Sequence, residues 1–323
     1  MNKIRIKWAA PILSLTALVA LPLHSSADPL KVNAPLSTNT SRITFDSKTS
    51  LGGLFWVNPR GERVAIGKAR GTVLVPKTNL VLEVSYDVIE HPEMLDSIPD
   101  VFFEILSRNS EEDMSKLIPH LPRLTQLRAL ELQYAILPDA AAKPVGRLTN
   151  LERIDLRGTG INGSCFQNLQ SLVNLRYLNV AYNPLKSDGL RYIMGLPKLQ
   201  LLAINMCHIT DAELAIIAKP DRIDDLNLSE NPAITDRGLL CFKSSKKLKS
   251  LFINRTRISA NGVIALKDTP LKHLVLPLYP LIDQQRVRAA FPHTDIEFAK
   301  DKLTTDMRQL FAPMHDTGPS GYN

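Results

Sequence analysis

The sequence predicts an α/β solenoid, a curved stack of repeats with a parallel sheet on one side and short helices on the other. Three observations predict it. Residues 175–185 place Leu175, Leu178, Val180, Asn183 and Leu185 in the order L-x-x-L-x-L-x-x-N-x-L, with valine at the third apolar slot. The first slot recurs at Leu127, Leu151, Leu175, Leu199, Ile223, Leu248 and Leu271, at spacings of 24, 24, 24, 24, 25 and 23 residues. The fourth and sixth positions are apolar in all seven copies, so each copy is one strand whose inward face is buried only when a neighbour covers it.

The chain begins with Lys3, Arg5 and Lys7 ahead of an apolar run at 8–23, followed by Ser25, Ser26 and Ala27. That order predicts a signal peptide over residues 1–27, cleaved near Ala27, and hence a secreted or periplasmic protein. The alternative is an N-terminal membrane anchor, for which the run is short and carries Pro11 and Pro22. No later segment is long and apolar enough to span a bilayer. Without residues 1–27, 36 Lys and Arg face 32 Asp and Glu, an excess of four in place of the seven of the whole chain. So small an excess gives no argument for nucleic acid as a partner.

Residues 28–40 are rich in Pro, Ser, Thr and Asn and predict a leader without regular structure. Short β-branched and aromatic runs at 42–45, 54–57, 63–66, 72–75 and 80–84, separated by Gly, Pro and Asn, predict a small antiparallel β-rich module completing residues 28–99. The repeat domain with its caps is expected over 100–303. Its first part is a degenerate capping repeat, because Phe103 and Ile105 alternate like a strand while Met114, Leu117, Ile118 and Leu121 follow helical spacing.

In the regular repeats the ninth position turns the chain out of the strand, where a short polar side chain can bond backbone groups the turn leaves unpaired. Thr159, Asn183, Cys207, Asn231 and Thr256 hold it and predict a structural turn ladder. Thr210 and Glu213 form a capping-box pattern, and 234–239 starts in the same way, so short helices are expected on the convex side. Pro277 and Pro280 break the last rung. A helix at 284–291 and an edge strand at 296–298 then form the C-terminal cap, before a polar tail over 304–323.

The 24-residue period, the Asn, Thr or Cys at the turn and the Ile-Thr-Asp starts at 209–211 and 234–236 resemble the bacterial, cysteine-containing leucine-rich repeat family. The resemblance covers 127–298 and implies a curved scaffold that binds macromolecules, usually proteins, on its concave sheet. The F-box branch of that family recruits ubiquitin-ligase substrates, but no F-box segment precedes these repeats, so that role is not carried over.

Solvent-facing strand positions three, five, seven and eight then supply the candidate partner-binding residues, Tyr134, Arg153, Arg157, Tyr177, Tyr182, Leu201, Met206, Phe252 and Arg255, among which Tyr, Arg, Met and Phe are enriched at protein interfaces. Catalytic and metal-ligating residues are not indicated. The seven histidines form no pair at catalytic or ligand spacing, His293 and Asp295 being the nearest approach. Gly158, Gly160 and Gly163 match G-x-G-x-x-G but fall at turn positions, and Asn179 and Asn183 stand where a ribose-binding acid is needed. No cofactor is therefore expected. Cys165, Cys207 and Cys241 sit on different rungs or sides of the coil and predict free thiols. Lys243, Lys246, Lys247 and Lys249 predict a solvated loop, with anionic lipid or polysaccharide as the alternative reading. The function expected is a non-enzymatic scaffold for a protein partner; a binder of cell-envelope polysaccharide or peptidoglycan, or an effector acting on host proteins, is the alternative.

Overall fold

The computed structural model describes residues 40–58, 62–107 and 111–299. The expected signal peptide, the leader before Thr40 and the tail after 299 lie outside them. Among the described residues no helix is long and apolar enough to cross a membrane.

All five strands of the expected N-terminal module form, as β1 (Thr40–Thr44), β2 (Gly52–Val57), β3 (Arg63–Lys68), β4 (Thr72–Pro76) and β5 (Leu80–Val84). They do not make a sheet of their own. β1 and β4 pair as a separate antiparallel ribbon, whereas β3, β2 and β5 continue the sheet of the repeats. β5 lies parallel to β6 (Phe102–Leu106), with the short helix α1 (Tyr86–Glu90) and a 3₁₀ turn at Pro92–Ser97 between them, so the repeat pattern begins one rung before residue 100. The sequence hid this because β5 is buried on both faces and its apolar residues, interrupted only by Glu83, do not follow the repeat's spacing.

The regular rungs follow as β7 (Ala129–Glu131), β8 (Arg153–Asp155), β9 (Tyr177–Asn179), β10 (Leu201–Ala203), β11 (Asp225–Asn227), β12 (Ser250–Phe252), β13 (His273–Pro277) and β14 (Asp295–Ala299). Each pairs in parallel with the next, and equivalent repeat positions face one another, as in Arg153, Tyr177, Leu201, Asp225, Ser250 and His273. The first, fourth and sixth apolar positions are buried throughout, and one contiguous core runs from Ile43 to Ile296.

The convex side changes character along the stack. The early rungs use 3₁₀ turns at Ile118–Arg123, Asp139–Arg147 and Ser164–Leu169. Pro122 and Pro144 inside the first two remove a backbone donor, which disfavours an α-helix there. From α2 (Ser187–Ile193) onward each repeat has an α-helix: α3 (Asp211–Ala218), α4 (Asp236–Leu239) with a 3₁₀ turn at Leu240–Phe242 after it, α5 (Ala260–Ile264) and the cap helix α6 (Leu281–Ala290). The capping box at Thr210 and Glu213 forms as expected.

The turn ladder forms too. Asn183 Nδ2 donates to the carbonyls of Leu156, Val180 and Ala181 at 2.8–3.2 Å, while its Oδ1 accepts from the Gly160 amide at 2.8 Å. Asn231 repeats this with Ile204, Leu228 and Ser229 as acceptors and the Cys207 and Ile209 amides as donors. Thr159, Cys207 and Thr256 each reach back to a strand carbonyl. A second ladder was not legible as such: Asp139, Asp211 and Asp236 each accept from the start of the following repeat, at Asn162 and Cys165, at Thr235, and at Ser259. The aspartate of each Ile-Thr-Asp start therefore ties one rung to the next as well as complementing its own helix N-terminus.

Candidate partner-binding surface

The N-terminal half of the concave sheet carries a charged network. Arg63 on β3 places Nη2 2.6 Å from Glu104 and 2.8 Å from Glu131, two acids on the neighbouring strands β6 and β7. Arg153 on β8 reaches Glu131 at 2.6 Å and also binds Glu104, passing over the small Ala129 that lies between them in the register. Arg157 Nε lies 3.1 Å from both oxygens of Asp155. Burial alone would push the Glu131 carboxyl up, but Arg153 and Arg63 outweigh it and hold it below the usual carboxylate value. The two candidate residues Arg153 and Arg157 are thus committed to acids of their own chain, although a fifth of each side chain is still exposed.

Further along, Asp155, Asn179 and Asn227 at position five each accept from the amide two residues on, at 3.0–3.1 Å. These side chains close the strand's exit turn. Beside them Tyr177, Leu201, Ala203 and Phe252 form a small apolar cluster against Val275. The expectation that all nine candidates present contact surface needs correction here, because Tyr177 is 6%, Leu201 3% and Phe252 4% exposed. Rungs stand about 4.8 Å apart, and inward curvature tips neighbouring side chains together, so middle positions of the strand shield one another.

Position eight behaves differently. Tyr134, Tyr182, Met206, Glu230 and Arg255 all have φ between +53° and +60°, and Gly158 completes the row at +64°. This left-handed residue swings the chain out of the strand and lifts its side chain onto the rim. Met206 is 41% exposed, while Tyr134, Tyr182 and Arg255 are half-buried. The Tyr134 ring lies over Gly158, where an added Cβ would come within 2.5 Å of Cδ1. Arg255 Nη1 is 3.5 Å from Glu230 on the adjacent rung. Four of the nine candidates therefore line one edge, and the left-handed backbone that puts them there is announced in the sequence only by Gly158.

At the C-terminal end the register aligns Asp225, Ser250, His273 and Asp295, a grouping that linear spacing did not reveal. Its members do not connect as nucleophile and base. Ser250 is hydrogen-bonded to Asp225, and the buried His273 Nδ1 has no hydrogen-bond partner. His273 Nε2 is 3.7 Å from Asp295, the acid that sequence spacing had grouped with His293. Among the described residues no cluster of three or more His, Cys, Asp or Glu could hold a metal. Gly158, Gly160 and Gly163 are turn residues with φ of +64°, +79° and +90°. The three cysteines are free; burial pushes the Cys207 thiol up to about 12, and Cys241 is exposed.

A leucine-rich repeat family model matches residues 171–194 and 225–243. Among solved structures, an internalin from Listeria monocytogenes aligns with 20% identity over 62% of this chain and 62% of its own, with a TM-score of 0.45. The chain thus spans less than two thirds of that protein's length. No curated protein matches. With the repeat register and the continuous parallel sheet, the fold is an α/β leucine-rich repeat solenoid.

Proposed function

We propose that this chain is a secreted or periplasmic scaffold that holds a protein partner along the rim where its strands exit, with Tyr134, Tyr182, Met206 and Arg255 as the main contacts and Arg157 beside them. Leucine-rich repeat folds commonly serve as protein-binding scaffolds. The observation that carries the reading is the left-handed row. A non-glycine residue there costs roughly 1–2 kcal/mol relative to an unstrained conformation, yet five of six rungs carry Tyr, Met, Glu or Arg and only one carries Gly. Backbone strain alone favours glycine at these positions, and retaining large side chains suits a surface that must make contacts. Secretion rests on the basic, apolar and small-residue order of residues 1–27. An effector acting on host proteins would use the same rim.

The reading is tested by Tyr182→Gly with Met206→Gly, which keeps the backbone conformation and removes the side chains. Retention of the native partner from the protein's own medium or envelope should fall at least tenfold. Unchanged retention contradicts the rim as the binding surface.

A further inference from the structure

The opposite ends of the strands carry a feature that the linear sequence shows only in part. The chain enters β11, β12 and β13 through three segments, 219–224, 243–249 and 265–272, which the parallel register sets side by side on one edge. These 21 residues hold eight Lys and Arg against three Asp, an excess of five, where the whole chain has an excess of seven. Lys219, Lys243 and Lys267 recur at intervals of 24 residues and are all exposed. Lys249 and Lys272 face each other on adjacent rungs, since their neighbours Ser250 and His273 are partners in the register and the Lys272 amide donates to the Lys249 carbonyl at 2.7 Å. Lys246 and Lys247 stand exposed between the two rows.

Complementing a helix C-terminus accounts for Lys219 and Lys243, which follow α3 and the short turn after α4. It does not account for Lys246, Lys247, Lys249 and Lys272. Like charges on adjacent rungs repel; Asp224 offsets Lys249 in part at 3.0 Å, while Asp221 is engaged with Ser245 and the Lys246 amide, so the edge keeps its excess of cations. Lysines this close act together, because the Debye length is about 10 Å at 0.1 M salt.

We propose that this edge binds a linear acidic polysaccharide of the polyuronate kind, lying across the three rungs with carboxylates of successive sugars over Lys249 and Lys272. The chemistry of the edge narrows the choice. The three segments contain no aromatic residue on which a base could stack, and their leucines and Ile223 are buried, leaving no large aliphatic side chain to enter a bilayer. Their one guanidinium, Arg222, is turned to the carbonyl of Met194, so a bidentate phosphate contact is not offered. At the strand entries Lys249 and Lys272 stand one rung apart, about 4.8 Å, close to the length of one pyranose unit, whereas side chains on one face of an extended acidic peptide repeat about every 6.6 Å. The surface is separate from the rim at the strand exits, so either assignment can fail without the other.

Affinity electrophoresis of the full chain in gels containing alginate tests it, with neutral dextran, polyglutamate and vesicles of anionic phospholipid as competing probes. Alginate should retard the protein and dextran should not, and raising NaCl from about 50 to about 500 mM should abolish the effect. The exposed-site variant Lys243→Glu, Lys247→Glu, Lys272→Glu should bind at least tenfold more weakly while its circular dichroism is unchanged. Lys→Gln at the same sites should weaken binding less, and Arg257→Glu at the strand exits should leave it intact. No retardation, equal binding by the Glu variant, or stronger binding to polyglutamate or to the vesicles overturns the proposal.

Discussion

Asn183 and Asn231 show how much one side chain can settle in a solenoid. Each satisfies three buried backbone carbonyls and at least one amide of a neighbouring turn. Removing such a side chain leaves several buried groups unpaired at about 1–3 kcal/mol each. Asn231→Ala should therefore cost about 3 kcal/mol in urea unfolding, against about 1 kcal/mol for Thr159→Ala, which loses the one bond to the Leu156 carbonyl. Equal losses would show that the ladder's extra bonds contribute nothing. This role was legible in the sequence, since asparagine at a fixed offset from three apolar residues of the repeat has few other uses. The burial of Tyr177, Leu201 and Phe252 was not, because it depends on side chains one repeat away on either side. Nor was the conformation of Tyr182 or Met206, whose residue types do not announce a left-handed backbone.

At the scale of elements, the sequence reported which segments form strands better than it reported what they pair with. All five N-terminal strands form, but alternation within a strand says nothing about its neighbours, and β2, β3 and β5 join the long sheet. The convex helices were legible from their caps, whereas the aspartate ladder between them was not. That ladder explains a glycine in the middle of α4. A Cβ on Gly238 would lie 2.3 Å from Asp211 Oδ1, the atom that accepts from the Thr235 amide. Glycine to alanine inside an exposed helix ordinarily stabilises by up to about 1 kcal/mol. Gly238→Ala should instead destabilise by about 2 kcal/mol, the size expected of overpacking. A rise in melting temperature would contradict the close packing of α3 on α4.

For the whole molecule, the continuous core means that the N-terminal strands cap the solenoid instead of standing apart from it. Arg63 fastens them by binding Glu104 and Glu131 across the rungs. Burial would raise the Glu131 carboxyl, yet Arg153 and Arg63 hold it below its ordinary 4.5. A carboxylate with a depressed value in the folded state stabilises fully above its unfolded value, and that contribution is lost as pH falls through the folded one. Stability should thus hold from pH 7 down to about 4.5 and drop below it. Arg63→Met should blunt the acid dependence while lowering stability at neutral pH, as urea unfolding at several pH values would show. An unchanged acid profile in that variant would mean that Arg63 does not anchor the cap.

In the proposed function the large side chains at the left-handed positions are kept for contact and not for the fold. It is tested most directly by measuring stability and partner retention together in the Tyr182→Gly, Met206→Gly chain. The melting temperature should be unchanged or higher, since glycine relieves the strain at φ near +55°, and partner retention should fall at least tenfold. A chain that keeps its partner, or loses the partner only as it loses its fold, would contradict it.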